Sequence, residues 1–125
     1  MATVTVAVLA TFDSKGDEAR YLSSQLAAAG VTPWCVDLSL RAHDDVGGDV
    51  SGGDLAARIG STWEDLGAVD RAKASDQMTL AARGLVREKF EAGEIDGVIG
   101  IGGANGTSMS CTIMVQQGWQ QFANS

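Results

Sequence analysis

Three short runs of apolar and β-branched residues divide this chain. Residues 3–10, 31–38 and 95–101 form these runs, and each has the length of a strand. The first run is apolar at both parities, which is typical of a parallel strand covered on both faces. Because Pro33 cannot donate to a strand ladder, it predicts that the second strand lies at a sheet edge or that the proline lies at the strand's start.

Between and after these runs, apolar residues recur at helical spacing. Between the first and second runs, this spacing predicts a helix capped by Ser14 and ended by Gly30. Before the third run, it predicts a helix over residues 75–92 that ends at Gly93. A final helix is expected to begin near Asn105. Strands that alternate with helices in this way predict β-α-β units.

A polar, glycine-rich excursion over residues 41–71 separates the second strand from the second helix. Within it, Ser51 and Asp54 resemble a capping box and predict a short helix near residues 53–59. Gly84, inside the longer helix, indicates either a tolerated glycine or close approach by a backbone or a ligand.

The order of elements predicts an α/β fold, a Rossmann-like parallel sheet with strand order 2-1-3 and helices on both faces. In that order the third strand lies at an edge, yet Val98, Ile99 and Ile101 have the pattern of residues buried on both faces. We therefore expect residues 1–125 to form one nucleotide-binding half-domain. A missing C-terminal segment or another subunit, in a homo-oligomer, would complete it.

Composition and charge narrow the choice of partners. The chain has 125 residues, 45% of them apolar, and a net charge of -7; without a basic stripe, this charge argues against nucleic acid. With two cysteines, no CxxC pair and one histidine, a structural zinc site is not expected. No signal peptide or membrane-length apolar run is present, so we expect a cytoplasmic protein with reduced thiols and no membrane contact.

Two loops are predicted to meet at the carboxyl edge of the sheet, where the strand order reverses. They are TFDSKG, residues 11–16, and GGANGT, residues 102–107. Glycines without Cβ atoms let the amides of the second loop approach a phosphate, and the following helix adds its positive end. The alternative for that loop is a tight turn, because neither a Walker A pattern nor a strict GxGxxG is present.

Side chains near this edge fit an anionic nucleotide. Lys15 stands at a helix start, where the dipole does not favour a cation unless an anion lies between them. Thr11 is a candidate phosphate donor, Asp13 a candidate for Mg²⁺ or a ribose hydroxyl, and Asp37 a candidate ribose-binding acid. The alternatives are a solvated lysine, a capping role for Asp13, and turn hydrogen bonds for Thr11 and Asp37.

The sequence contains no recognisable catalytic constellation. Residues 43–45 include possible metal ligands but are expected to be solvated, and Cys35 is expected in the core because no general base stands beside it. Three arginines are further phosphate candidates, although helix-surface arginines usually face water: Arg71, Arg83 and Arg87.

Three longer segments carry a family resemblance: LATFDSKGDEARYLSSQLAAAGV, DVSGGDLAARIG and RGLVREKFEAGEIDGVIGIGGANGT. They are similar to the opening strand and A-T-x-D-[TS]-K-G-x-E loop, the segment after the second strand, and the G-x-G-G-x-x-G-T loop of the Tm-1-like ATP-binding proteins, also called the UPF0261 family. The resemblance implies a Rossmann-like N-terminal domain that binds ATP, with Mg²⁺ as a further candidate. It also implies a possible protein partner, because plant members of the family bind a viral replication protein.

The resemblance places nucleotide contacts in both loops. By motif, Thr11, Asp13, Lys15 and Gly16 match the first loop, and Gly102, Gly103, Gly106 and Thr107 match the second; Ser14 and Asn105 complete the predicted site. The similarity departs after Met114, where family members continue into a further strand and this chain ends in VQQGWQQFANS. We expect a truncated domain, in which Trp119 and Phe122 suit a partner interface.

Three functions follow as hypotheses. The first is an ATP-binding module that regulates a protein interaction. The second is a small-molecule kinase, because the glycine loop looks like the G-G-D-G-T loop of NAD kinases and phosphofructokinases, although Ala104 and Asn105 replace its acid. The third is an interaction protein with a vestigial nucleotide site, in which the excursion over residues 41–71 meets the partner.

Overall fold

A three-stranded parallel sheet forms the centre of the molecule. The computed structural model describes residues 4–40 and 48–101, and the strands within them are β1 Thr5–Ala10, β2 Thr32–Asp37 and β3 Gly97–Ile101. Their spatial order is β2-β1-β3, and both pairs are parallel. The predicted α/β class and strand order are therefore confirmed.

Within the same two ranges, four helices accompany the sheet: α1 Phe12–Ala28, α2 Gly52–Arg58, α3 Trp63–Ala68 and α4 Arg71–Glu91. Helix α2 lies where the sequence predicts a short helix, and its capping box is formed by Ser51 and Asp54. Helix α3 was not predicted. Helix α4 begins before the predicted start at Ser75 because the Asp70 side chain caps it, accepting a hydrogen bond from the amide of Lys73 at 2.9 Å.

The sheet is packed between two apolar layers. Ala7 and Leu9 of β1 face a core shared with α2, α3 and α4, whereas Val8 and Ala10 face α1. All four side chains are fully buried. Strand β1 is therefore covered on both faces, which accounts for its apolar residues at both parities.

Helix α1 begins earlier than its sequence predicts. Thr11 is its N-cap and Ser14 lies inside the first turn, so the prediction of Ser14 as N-cap is wrong. The reason is tertiary: the side chain of Phe12 is buried in the core, and the carboxylate of Asp37, at the end of β2, accepts a hydrogen bond from its amide. Helices α1 and α4 are followed as predicted by Gly30 and Gly93, both with positive φ.

The two edges of the sheet differ. Strand β2 carries Pro33 near its start, and residues 48–50 run along its outer edge. There the Val50 carbonyl accepts a hydrogen bond from the amide of Asp37 at 2.9 Å. Strand β3 has no outer neighbour within the described ranges. Its residues Val98, Ile99 and Ile101 are half-buried. The sheet is therefore open along β3, as expected of a half-domain, and what covers this strand stays a prediction.

Several predictions fall outside residues 4–40 and 48–101. They concern the cluster at residues 43–45, the glycine loop at residues 102–107, the final helix near Asn105, and Trp119 with Phe122. In the two described ranges, no helix combines the length and the apolar character required to cross a membrane.

Candidate functional site

The pairing register brings the carboxyl ends of all three strands to one edge. Ala10 of β1 is paired with Asp37 of β2 on one side and with Ile101 of β3 on the other. Adjacent strands lie about 4.8 Å apart. The first loop therefore leaves the sheet between the ends of β2 and β3, and the glycine loop follows Ile101 directly in the sequence.

The first loop folds into a tight turn on its own backbone. The carbonyl of Thr11 accepts hydrogen bonds from the amides of Ser14 at 3.1 Å and Lys15 at 2.7 Å. The hydroxyls of Thr11 and Ser14 lie 3.1 Å apart. This arrangement is the turn hydrogen bonding that the sequence allows as an alternative role for Thr11, and it also leaves both hydroxyls on the same turn.

Lys15 marks a break in α1. Its φ of -122° and ψ of 20° are not helical, so the first turn is separated from the remainder of the helix. Its side chain is half-buried, those of Asp13 and Ser14 are exposed, and Gly16 is buried. The turn therefore presents a cation, a carboxylate and a hydroxyl close together at the carboxyl edge.

Two buried polar residues at the end of β2 hold the start of α1. Asp37 is 2% exposed and Ser39 is 0% exposed. The Asp37 carboxylate accepts from the amide of Phe12 at 3.1 Å, and the Ser39 hydroxyl accepts from the amide of Asp13 at 3.0 Å. Ser39 in turn donates to Asp37 through both its amide, at 2.9 Å, and its hydroxyl.

This bonding determines which groups the first loop can offer to an anion. The amides of Phe12, Asp13, Ser14 and Lys15 all donate within the chain. Any contact from residues 12–15 to an anion would therefore use side chains, such as the Ser14 hydroxyl and the Lys15 ammonium group. Asp37 is brought to the edge as predicted; its contact to a ribose stays a prediction.

Sequence reasoning did not identify Ser39 as part of this edge. Its only signal is a serine placed two residues after Asp37, within an otherwise apolar run at the end of a strand. The contact that gives Ser39 its role joins it to a residue 26 positions earlier in the chain. No local pattern predicts a contact of that separation.

The remaining candidates lie elsewhere. Cys35 is buried in the middle of β2, opposite Val8. Arg87 pairs with Glu91 at 3.0 Å on the exposed face of α4. Arg71 is exposed beside a cavity of about 60 Å³ that Leu40 also lines. Across the described portion of the chain, no group of three potential metal ligands occurs.

A family model and several curated relatives that match this chain all belong to one family. Residues 4–118 match the model of the N-terminal domain of the uncharacterised protein family UPF0261. The chain is 30% identical over 111 residues to a UPF0261 protein of Brucella suis, covering 86% of this chain and 26% of that protein. It is 36% identical over 105 residues to a UPF0261 protein of Rhizobium meliloti, covering 82% and 25%.

A third relative, a UPF0261 protein of Clostridium tetani, is 26% identical over 110 residues, which cover 87% of this chain and 27% of that protein. The chain therefore spans about a quarter of the length of the curated relatives it matches. The match includes both loops of the candidate site, since each lies within residues 4–118.

Proposed function

The chain belongs to the UPF0261 protein family, and from that premise we propose that it is a nucleotide-binding module of the Tm-1-like type, with ATP as its ligand. The observation that carries the proposal is the shared register of Ala10, Asp37 and Ile101. This register starts both sequence motifs at the same edge, where α/β sheets bind their ligands.

The first loop supplies the charge. With a net charge of -7, the chain must hold an anion through local donors. Lys15 and the hydroxyls of Thr11 and Ser14 contact the phosphates in this proposal, and the exposed carboxylate of Asp13 contacts Mg²⁺. Hard oxygen ligands of this kind suit Mg²⁺, which keeps most of its remaining ligands as water and phosphate oxygen.

The glycine loop supplies backbone amides. Gly102, Gly103 and Gly106 lack Cβ atoms, so the chain there can approach phosphate oxygens closely. Asn105 and Thr107 add side-chain donors. The two loops are complementary in the proposal, because the amides of residues 12–15 are already bonded within the chain.

Thermal unfolding of the purified chain with and without Mg-ATP tests the proposal. At 100 times its dissociation constant, a ligand adds about 2.7 kcal/mol to the free energy of unfolding, and we expect a clear rise in the midpoint. Lys15→Ala and Gly103→Val should each remove this rise. No rise for the unmodified chain, folded and of defined mass, would contradict the proposal.

Lys89→Ala is the matched control. Lys89 lies at the opposite end of the sheet, beside Thr5 and 3.3 Å from Glu94, so its loss should leave the ATP-dependent rise unchanged. If this variant also lost the rise in the unfolding midpoint, the rise would reflect the overall charge of the chain and not a specific site. Release of ADP with candidate acceptors would reveal the kinase alternative in the same samples.

A further inference from the structure

Ser39 lies at the centre of a buried hydrogen-bond network at the carboxyl edge. Its hydroxyl accepts from the amide of Asp13 and donates to Asp37, and its carbonyl accepts from the indole nitrogen of Trp63 at 3.0 Å. Its partners therefore lie on three elements: Asp13 on α1, Asp37 on β2 and Trp63 on α3. Buried polar groups satisfied in this way fix the relative positions of the elements that they join.

Trp63 extends the network to the helices that follow β2. It is the first residue of α3, and its ring lies against Gly52, the first residue of α2. A Cβ atom on Gly52 would lie 2.5 Å from the indole nitrogen and 2.7 Å from the Ser39 carbonyl oxygen. The glycine is therefore needed for the indole to reach Ser39.

We propose that Ser39 is the positioning residue of the nucleotide site. It holds the TFDSKG loop through the amide of Asp13 and links that loop, through Trp63, to helices α2 and α3. The inference rests on the proposed function for its effect on ATP, whereas the positioning of the loop is a property of the unliganded chain. Asp37 accepts hydrogen bonds from the amides of both Ser39 and Phe12. It therefore holds Phe12, the residue before Asp13 in the same turn.

Hydrogen exchange of the Asp13 amide, followed by NMR on the whole chain without ligand, tests the positioning. Ser39→Ala removes the acceptor, and we expect this amide to exchange at least about tenfold faster, beyond any change at the core amide of Val8. Exchange of Asp13 that changes no more than that of Val8 would overturn the proposal.

Ser51→Ala is the matched control for this measurement. It removes a hydroxyl that accepts from a backbone amide over the same distance, 3.0 Å, but at the start of α2. We expect it to leave the exchange of Asp13 unchanged relative to Val8. Equal acceleration by both variants would show that Ser39 has a merely structural role.

Affinity for Mg-ATP, measured by calorimetry, connects the positioning to the site. Ser39→Ala should weaken binding by about tenfold, and Ser51→Ala should not. If the unmodified chain binds Mg-ATP and Ser39→Ala binds it equally well, the positioning role is overturned and the proposed function stands. If the unmodified chain does not bind, the proposed function fails, and the exchange of Asp13 decides the positioning alone.

Trp63→Phe provides a second variant should Ser39→Ala not fold. It keeps an aromatic ring and removes the indole N–H that bonds the Ser39 carbonyl. We expect faster exchange of Asp13 than in the unmodified chain, again relative to Val8. No change would overturn the link between the loop and helices α2 and α3.

Discussion

At the scale of single residues, Cys35 shows how burial determines reactivity. Its side chain is 5% exposed, and its sulfur lies 3.0 Å from the Ser23 hydroxyl. Burial raises the pKa of the Cys35 thiol above its ordinary value, the hydrogen bond with Ser23 lowers it, and the carboxylate of Asp49 raises it further. The thiol is therefore held in its unreactive protonated form, as expected of a core residue.

This environment predicts slow modification of Cys35. In a Cys111→Ser background, a thiol reagent at mildly alkaline pH should react with Cys35 at least about tenfold more slowly in the folded chain than in denaturant. Because the folded pKa is raised, this thiol's contribution to stability is fully present below the unfolded pKa and is lost as the pH rises through the folded pKa. Equal rates in the two states would contradict this description of Cys35.

Lys15 is the residue on which the proposed site depends most. It combines a half-buried side chain with a non-helical backbone at the start of α1. Bridge-region conformations of this kind recur at functional residues. In this molecule the conformation separates the first turn, which is bonded to the end of β2, from the remainder of the helix.

At the scale of elements, α4 provides a contrast between two glycines. Gly84 lies inside the helix, and among the residues that the structure describes a Cβ atom there would meet only the Arg58 guanidinium, at 3.8 Å. Gly93 follows the helix with a φ of +74°. The contacts around Gly84 are those of a tolerated glycine, the first of the two alternatives that the sequence allows.

We expect Gly84→Ala to increase the free energy of unfolding by about 0.5 to 1 kcal/mol, because glycine in a helix interior costs about that much relative to alanine. Gly93→Ala should decrease it by about 1 kcal/mol, because alanine is disfavoured at positive φ. Urea denaturation of both variants measures the changes. Destabilisation by Gly84→Ala would indicate that another group approaches the helix there.

The strands and their order are predictable from the sequence, whereas several helix boundaries are not. Runs of apolar residues at both parities report the double coverage of β1 directly. The start of α1 depends on acceptors 25 and 26 positions away, Asp37 and Ser39, which no local pattern contains. Helix α3 is only six residues long, too short to show helical periodicity, and is anchored by the contact between Trp63 and Ser39.

Only part of the candidate site, likewise, is predictable from the sequence. The motifs indicate the two loops and the chemistry of Lys15 and Asp13, because those features are local. That Asp37 and Ser39 hold the amides of Phe12 and Asp13 follows only from tertiary contacts. The apolar pattern of β3 shows which residues favour burial but not what covers them, and among the described residues this strand has a neighbour on one side only.

At the scale of the whole molecule, the packed core and the proposed nucleotide site occupy different parts of the sheet. Both apolar layers lie along the faces of the sheet, and the first loop leaves the sheet at its carboxyl edge, where β3 also ends. The chain spans about a quarter of its relatives' length, so the activity of the full-length proteins is a separate question. The proposed function concerns this edge alone, where we propose that residues 11–16 and 102–107 contact one nucleotide.

The most direct test is an NMR map of amide shifts in the isotopically labelled chain on titration with Mg-ATP. We expect the largest shifts at residues 11–16 and 102–107, with smaller ones at Ser39 and Trp63. Lys15→Ala should abolish this pattern. Shifts concentrated around Trp34 and Lys89, near the end of the sheet where the strands begin, would contradict a nucleotide site between the two loops. The absence of shifts at saturating Mg-ATP would contradict it as well.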